Sequence, residues 1–81
     1  MHLKIVSPVK TYFSGEVTLI TLPGVSGTFT LLENHAPLIS VLGEGAIVYK
    51  QTATNDQIIK IAGGFAEVNN NQVTVCVENV L

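Results

Sequence analysis

Glu33, His35 and Ser40 are the residues of this chain whose types and spacing come nearest to catalytic chemistry. A histidine beside a carboxylate can act as a general base, and a serine next to such a base can act as a nucleophile. The sequence supplies no third residue to orient the histidine and no helix to form an oxyanion site. A histidine beside a proline turn, here at Pro37, is more often a hydrogen-bond partner that fixes the turn. We therefore predict that this protein is not an enzyme.

Metal and cofactor sites have equally little support. The possible metal ligands His2, His35 and Cys76 are scattered without the spacing of a metal site. A single cysteine also excludes an internal disulfide. The segment Gly24-Val25-Ser26-Gly27 has the glycines of a phosphate loop, but it lacks the Lys-Ser/Thr end and a following helix. The sequence therefore predicts no metal and no cofactor.

The lysines raise an alternative from another class of protein. Small all-β biotinyl and lipoyl carrier domains present one lysine at the tip of a hairpin. Lys50 and Lys60 lie within or at the ends of predicted strands, and the nearest predicted tip, Thr54-Asn55-Asp56, has no lysine. This placement of the lysines weakens the case for a carrier function, which stays open as an alternative.

The composition predicts a partner protein. Charged residues make up 12% of the 81 residues, against about 25% in average proteins, and apolar residues make up 47%. So small a domain leaves apolar surface exposed, and contiguous patches of that kind mark protein interfaces. A net charge of −2 with no arginine excludes a basic nucleic-acid surface. No apolar run approaches the length of a membrane span, and the first residues lack a signal-peptide layout, which favours the cytoplasm.

The elements that must position these residues are β-strands. Apolar and polar residues alternate with period two along the whole chain, and no helical stripe persists. We predict one domain, residues 1–81, that is an all-β, two-layer antiparallel sandwich or flattened barrel of 8–10 short strands. The predicted strands are His2–Ser7, Thr11–Ser14, Glu16–Leu22, Gly27–Leu32, Pro37–Leu42, Ala46–Gln51, Gln57–Ala62, Gly64–Asn69 and Gln72–Glu78. The predicted inward residues are Ile5, Phe13, Val17, Leu19, Phe29, Leu31, Ile47, Tyr49, Ile59, Ile61, Phe65, Val73, Val75 and Val77.

Glycine, proline and asparagine mark the predicted breaks between strands. Asn34-His35-Ala36-Pro37 forms a stiff corner, because Pro37 fixes its own φ and keeps Ala36 extended. Gly15 ends the second predicted strand and Pro23-Gly24 ends the third. Asn70-Asn71 suits a turn with positive φ, and Gly63-Gly64 suits a bulge or a bend between the two layers.

Five motifs follow one another along the chain in a recognisable order. They are Phe13-Ser14-Gly15-Glu16-Val17, Leu22-Pro23-Gly24 followed by Gly27, Asn34-His35-Ala36-Pro37-Leu38, Gly63-Gly64-Phe65-Ala66-Glu67-Val68 and Val73-Thr74-Val75. Over essentially all 81 residues the chain resembles the N-terminal β-sandwich domain of the epsilon subunit of F-type ATP synthases. An unrelated β-sandwich adaptor remains a second alternative.

The resemblance implies a non-catalytic part of a rotor. In that family the domain sits at the foot of the central stalk, with the gamma subunit on one side and the polar loops of the c-ring below. It fastens gamma to the ring, so that proton or sodium flow turns gamma inside the catalytic head, which the domain meets only through gamma. The resemblance further implies a peripheral location on the cytoplasmic face of the bacterial inner membrane, without insertion into the bilayer.

The resemblance also assigns surfaces. Ser7, His35 and Ser40 match the gamma-facing side, and the loop Ser26-Gly27-Thr28 matches the one that faces the c-ring. Relatives carry acidic residues in that loop, and we expect Glu33 to supply the charge here. Family members commonly continue into two C-terminal helices that bind ATP or block its hydrolysis. Because the sequence stops at Leu81, we expect that helical domain to be absent, with neither ATP binding nor inhibition by helix insertion.

Overall fold

The computed structural model describes residues 1–52 and 56–81. Within them the chain forms nine strands and no helix, as the alternation predicts. The predicted turn residues Thr54 and Asn55 lie outside the described residues, although the hairpin that they join is confirmed by the pairing of Tyr49 with Gln57. The strands are β1 (His2–Val6), β2 (Thr11–Glu16), β3 (Leu19–Gly24), β4 (Gly27–Leu32), β5 (Leu38–Leu42), β6 (Gly45–Lys50), β7 (Gln57–Ile61), β8 (Gly64–Asn69) and β9 (Gln72–Val77).

The strands form one sheet that curls into two layers. Its order is β2-β1-β9-β8-β5-β3-β6-β7, with β4 on the other edge of β3. Eight strands side by side would span roughly 34 Å if flat, but the protein measures only 26 × 24 × 22 Å. The layers meet where β3 changes partners: Leu19 to Thr21 pair with β6 and Gly24 pairs with Leu42 of β5. Pro23 stands at this change, where its missing N–H removes a donor.

One strand pair departs from the predicted antiparallel arrangement. β1 and β9 run parallel, from His2 opposite Gln72 to Val6 opposite Cys76. A parallel pair needs a long connection, and nearly the whole chain lies between these two strands. The remaining strand pairs between described residues are antiparallel.

The core draws on both layers. Among the described residues its buried members are all apolar, and they include Leu3 and Ile5 of β1 together with Ile20 and Leu22 of β3. The rings of Phe13 and Tyr49 join the layers, with centroids 4.4 Å apart. Burial raises the pKa of the Tyr49 phenol. Because the buried cluster is continuous across both layers, the domain is closed around a single core.

Most predicted inward residues are buried, but two predictions are wrong. Leu19 is half-exposed while Ile20 and Leu22 fill the core. Phe65 is 49% exposed, and its neighbour Ala66 points inward instead. Both errors have the same cause, because alternation gives the phase within a strand but not which phase faces the core. Phe13, Phe29 and Ile59 are partly buried and pack against the core.

Two predicted strand ends are also wrong. Gly15 lies inside β2 opposite Leu3, and both Pro23 and Gly24 lie inside β3. Gly24 permits a tight hairpin with β4, because a Cβ at this position would lie 2.7 Å from the carbonyl oxygen of Gly27. The strand therefore continues to the two-residue turn Val25-Ser26.

The other marked turns are confirmed. Asn70 and Asn71 have φ values of 49° and 62°, a conformation that asparagine tolerates better than most residues. Gly63 and Gly64 have φ values of 156° and 151° and connect β7 to β8. Pro37 directly precedes β5, in the connection from β4. These turns place β5 and β8 side by side, and the candidate site lies on their outer face.

Candidate protein-interaction surface

A row of apolar side chains crosses the outer face of the layer that contains β5, β8 and β9. The strand register places Val41 opposite Phe65, Phe65 opposite Cys76, and Cys76 opposite Val6. Val41 is 60% exposed and its neighbour along β5, Ile39, is 75% exposed. The row continues to Val25, whose backbone N–H donates to the Val41 carbonyl at 3.1 Å. We call this set the apolar belt: Val6, Val25, Ile39, Val41, Phe65 and Cys76.

The apolar belt is unusual because large side chains lie outside and small ones inside. Ser40 and Ala66 are paired on the inner side of β5 and β8, and Ala66 is fully buried. Val41 and Phe65 form the adjacent pair on the outer side. A solvent-facing strand surface normally carries polar residues opposite the core. The reversed arrangement is typical of a surface that another protein covers.

Charged residues border the apolar belt on one side. The next row across the same face contains Lys4, Thr74 and Glu67, in register with Ile39. Lys4 and Glu67 are both exposed. An apolar centre with a polar rim is the usual anatomy of a protein–protein interface.

Shallow grooves extend the apolar belt at both ends. One groove lies between residues 24–29 and residues 39–41. The other is lined by Pro8, Gly64, Phe65 and the end of β9. The two grooves lengthen the surface on which a partner can rest.

Ser7 and Ser40 adjoin the apolar belt without forming part of it. Ser7 follows Val6 in the turn after β1, and its Oγ accepts hydrogen bonds from the backbone N–H groups of Val9 and Lys10, both at 3.3 Å. Ser40 lies between Ile39 and Val41 but on the inner side of β5. Its hydroxyl donates to the Val41 carbonyl at 3.4 Å. Both hydroxyls are thus engaged in local backbone contacts.

His35 lies in the β4–β5 corner, at the opposite end of β5 from Val41. Its side chain is exposed, and its Nδ1 lies 2.7 Å from the carbonyl oxygen of Ala36. The structure does not gather Ser7, His35 and Ser40 into one cluster. His35 lies in the corner before β5, Ser40 on the inner side of β5, and Ser7 in the turn after β1.

A network of hydrogen bonds and an ion pair supports the β4–β5 corner. The Asn71 side chain donates to Glu33 Oε2 at 2.8 Å and accepts from the Asn34 N–H at 2.9 Å. The other oxygen of Glu33 pairs with the N-terminal ammonium of Met1, which also donates to the Val17 carbonyl at 3.2 Å. The hydrogen bond from this ammonium, and then the one from Asn71, hold the pKa of Glu33 below its usual range. Sequence reasoning missed Asn71 as part of this site.

The loop Ser26-Gly27-Thr28 forms the tip of the β3–β4 hairpin and is exposed. Glu33 follows the other end of β4, which is six residues long and so extends for about 17 Å. The structure therefore does not bring Glu33 to this loop. The loop carries hydroxyl groups at Ser26 and Thr28 and no charge.

The remaining candidates for chemistry stay apart. Within the described residues, no group of three His, Cys, Asp or Glu side chains could hold a metal ion. Lys50 lies in β6, where its ammonium pairs with Asp56 at 3.5 Å, and Lys60 lies within β7. Neither lysine occupies a described turn, so the carrier alternative is not favoured.

The comparisons agree on one family. A sequence profile of the ATP synthase delta/epsilon chain β-sandwich domain matches residues 1–81. The chain belongs to this family.

Two relatives of the delta/epsilon family differ in length. The ATP synthase epsilon chain of Lawsonia intracellularis is 45% identical over 78 residues, which are 96% of this chain and 58% of that relative. The epsilon chain of Caulobacter vibrioides is 38% identical over 81 residues, all of this chain and 93% of that relative. The chain thus spans little more than half of one relative and nearly all of the other.

Solved structures confirm the fold. A chain in the Euglena gracilis mitochondrial ATP synthase structure of OSCP, F1 and c-ring aligns with a TM-score of 0.90 at 22% identity, covering 98% of this chain and 51% of that chain. A chain in the central stalk and c-ring structure of the Tetrahymena thermophila mitochondrial enzyme aligns with a TM-score of 0.86 at 16% identity, covering 99% of this chain and 64% of that chain.

The part of this delta/epsilon family member that the structure describes contains no helix long and apolar enough to cross a membrane.

Proposed function

We propose that this chain is a non-catalytic subunit of the central stalk of an F-type ATP synthase, which fastens gamma to the c-ring and couples ion flow to ATP synthesis. The observation that carries the proposal is the apolar belt, in a chain that belongs to the delta/epsilon family. The complex would hold the subunit at the cytoplasmic face of the bacterial inner membrane, as a peripheral component.

The apolar belt is the proposed gamma-facing surface. Ile39, Val41 and Phe65 expose 75%, 60% and 49% of their surface, and removal of apolar area from water favours association by about 25 cal/mol per Å². The corner with His35, the strand with Ser40 and the turn with Ser7 border the same surface. The charged rim at Lys4 and Glu67 would then fix the orientation of the partner.

The hairpin tip Ser26-Gly27-Thr28 is the proposed c-ring-facing contact. Because this loop has no charge, it would bind the polar loops of the ring by hydrogen bonds rather than by ion pairs. The β3–β4 hairpin that carries the tip is tied to β5 and the residue after it through the Val25–Val41 hydrogen bond and through the Gly43 N–H, which donates to the Pro23 carbonyl at 2.8 Å. Torque would pass between the two surfaces through a short, close-packed body.

The test compares two isoleucines on opposite layers. Ile39→Asp introduces a charge into the apolar belt, whereas Ile58→Asp introduces the same charge at an exposed position of β7, where Ile58 is 62% exposed. Burying an unpaired carboxylate costs several kcal/mol, so Ile39→Asp should weaken binding of the purified gamma subunit by at least about 100-fold. Ile58→Asp should leave the affinity within a few-fold.

Both variants should keep the wild-type far-UV circular dichroism spectrum, since neither side chain is buried. Equal affinities of the two variants for gamma would remove the apolar belt from the interface. A wild-type chain that fails to bind gamma would overturn the proposed function itself.

A further inference from the structure

We infer that Asn71 and Glu33 are positioning residues, which hold the Asn34–Pro37 corner in the shape that the gamma-facing surface requires. The inference rests on the proposed function, and it assigns a role to two residues outside the apolar belt. They act through the backbone of the corner that leads into β5.

The Asn71 side chain uses both ends of its amide on the consecutive residues Glu33 and Asn34, where the chain enters the corner. Its Oδ1 accepts from the Asn34 N–H at 2.9 Å and its Nδ2 donates to Glu33 Oε2 at 2.8 Å. These contacts link the β4–β5 corner to the β8–β9 turn. Asn34 and Asn71 are 37 residues apart in the chain. One side chain therefore links the β8–β9 turn to the connection between β4 and β5.

The corner needs such a clamp because its backbone is unusual. Asn34 has φ 61°, in the left-handed region that non-glycine residues rarely adopt and that persists when surrounding contacts determine it. The N–H of this same residue donates a hydrogen bond to the Asn71 side chain. The contact thus acts directly on the residue that has this unusual backbone conformation.

The clamp is itself fixed to the rest of the fold. The backbone N–H of His2 donates to the Asn71 carbonyl at 3.0 Å, which holds the β8–β9 turn against β1. Glu33 is held in turn by the N-terminal ammonium of Met1. The corner is consequently tied to the start of the chain by two routes, one from the Asn71 backbone to His2 and one from the Glu33 carboxylate to Met1.

His35 depends on this arrangement for its orientation. Within the described residues, its imidazole hydrogen-bonds locally to the Ala36 carbonyl. The backbone of the corner therefore decides where the imidazole points. It also sets the start of β5 at Leu38, one residue before Ile39 of the apolar belt.

The test uses glycine substitutions, because glycine keeps the positive φ while it removes the side chain. Asn71→Gly removes both clamp contacts. Asn70→Gly is the matched control, since Asn70 lies in the same turn with φ 49°. Within the described residues, the Asn70 side chain makes no hydrogen bond. Hydrogen exchange of the Asn34 amide, followed by NMR, should accelerate at least tenfold in Asn71→Gly and stay unchanged in Asn70→Gly. Equal rates in the two variants would overturn the inference.

Gamma binding then separates positioning from general stability. Asn71→Gly should weaken gamma binding about tenfold, and in the double variant with His35→Ala the two losses should be less than multiplicative. Fully multiplicative losses, or equal weakening by Asn70→Gly, would contradict a role through the corner. Absence of gamma binding by the wild type would instead refute the proposed function, while the Asn34 exchange rates would still decide whether the clamp holds the corner.

Discussion

Gly64→Ala would test the most demanding backbone position of the fold. Gly64 begins β8 with φ 151°, a conformation that is easy for glycine and strained for alanine. An added Cβ would lie 2.1 Å from the Cys76 carbonyl oxygen and 3.0 Å from the Val77 Cα. Both atoms belong to the backbone of β9, which pairs with β8 from Gly64 to Asn69. The substitution can therefore be accommodated only by parting the two strands at this end.

The expected loss has two components. The strained φ costs about 1–3 kcal/mol, and the loss of one or two ladder hydrogen bonds adds about 1 kcal/mol each. The total of about 2–5 kcal/mol is a large part of the roughly 4–12 kcal/mol expected for a folded domain of this length. For so small a domain each kcal/mol lowers Tm by about 4–8 °C, so Gly64→Ala should lower Tm by at least about 8 °C.

Gly27→Ala provides the matched control. Gly27 has φ 132°, but an added Cβ there would meet nothing within 4 Å. This variant should therefore show the conformational cost without the clash. Urea and thermal unfolding, followed by far-UV circular dichroism, give both free energies of unfolding. Gly64→Ala should lose about 1–2 kcal/mol more than Gly27→Ala. Equal losses would refute the argument that close approach of β9 requires glycine at position 64.

Two further predictions concern stability. Because contacts in the folded protein lower the pKa of Glu33 from 4.5, its carboxylate stabilises the fold above that pH, and the contribution disappears as the pH falls through the lowered folded value. Glu33→Gln should accordingly have a lower urea midpoint than the wild type at pH 7 and an equal one at strongly acidic pH. Ile20→Ala should cost about 2–5 kcal/mol of unfolding free energy and Leu19→Ala clearly less, since Ile20 is fully buried and Leu19 is half-exposed. Equal costs in urea unfolding would contradict the observed strand phase.

Local sequence signals predict much of this fold, because the turn residues and the alternating strands that define a hairpin are close together in sequence. The predicted bounds of β4 and β8 are those observed, and Asn70-Asn71 adopts the predicted positive φ. The wrong phase of β3 has a local cause that the signals do not encode. Val17 is buried and so is Ile20, three residues later, so the alternation is broken in the connection between β2 and β3. Only the three-dimensional path of that connection shows where the phase changes.

The candidate site is harder to predict, because its contacts join distant segments. The resemblance led to the prediction that Glu33 supplies the charge that the loop Ser26-Gly27-Thr28 lacks. The antiparallel hairpin instead carries Glu33 to the far end of β4, where it meets Asn71. A side-chain contact between two turns leaves no periodic pattern. The positive-φ signal at Asn71 identified a turn, but it could not identify what the side chain would bind.

The position of the apolar belt follows from side-chain size near the junction of the two layers. At Gly64 the backbones of β8 and β9 approach so closely that no Cβ fits, and just beyond this point the inward pair is the small Ser40 and Ala66. Small side chains thus occupy the inner side of β5 and β8 at this point. Alternation then places Phe65 and Val41 outside, where they expose apolar area to water. Polar residues at these two positions would suit the isolated domain better, which agrees with the proposal that gamma covers this surface.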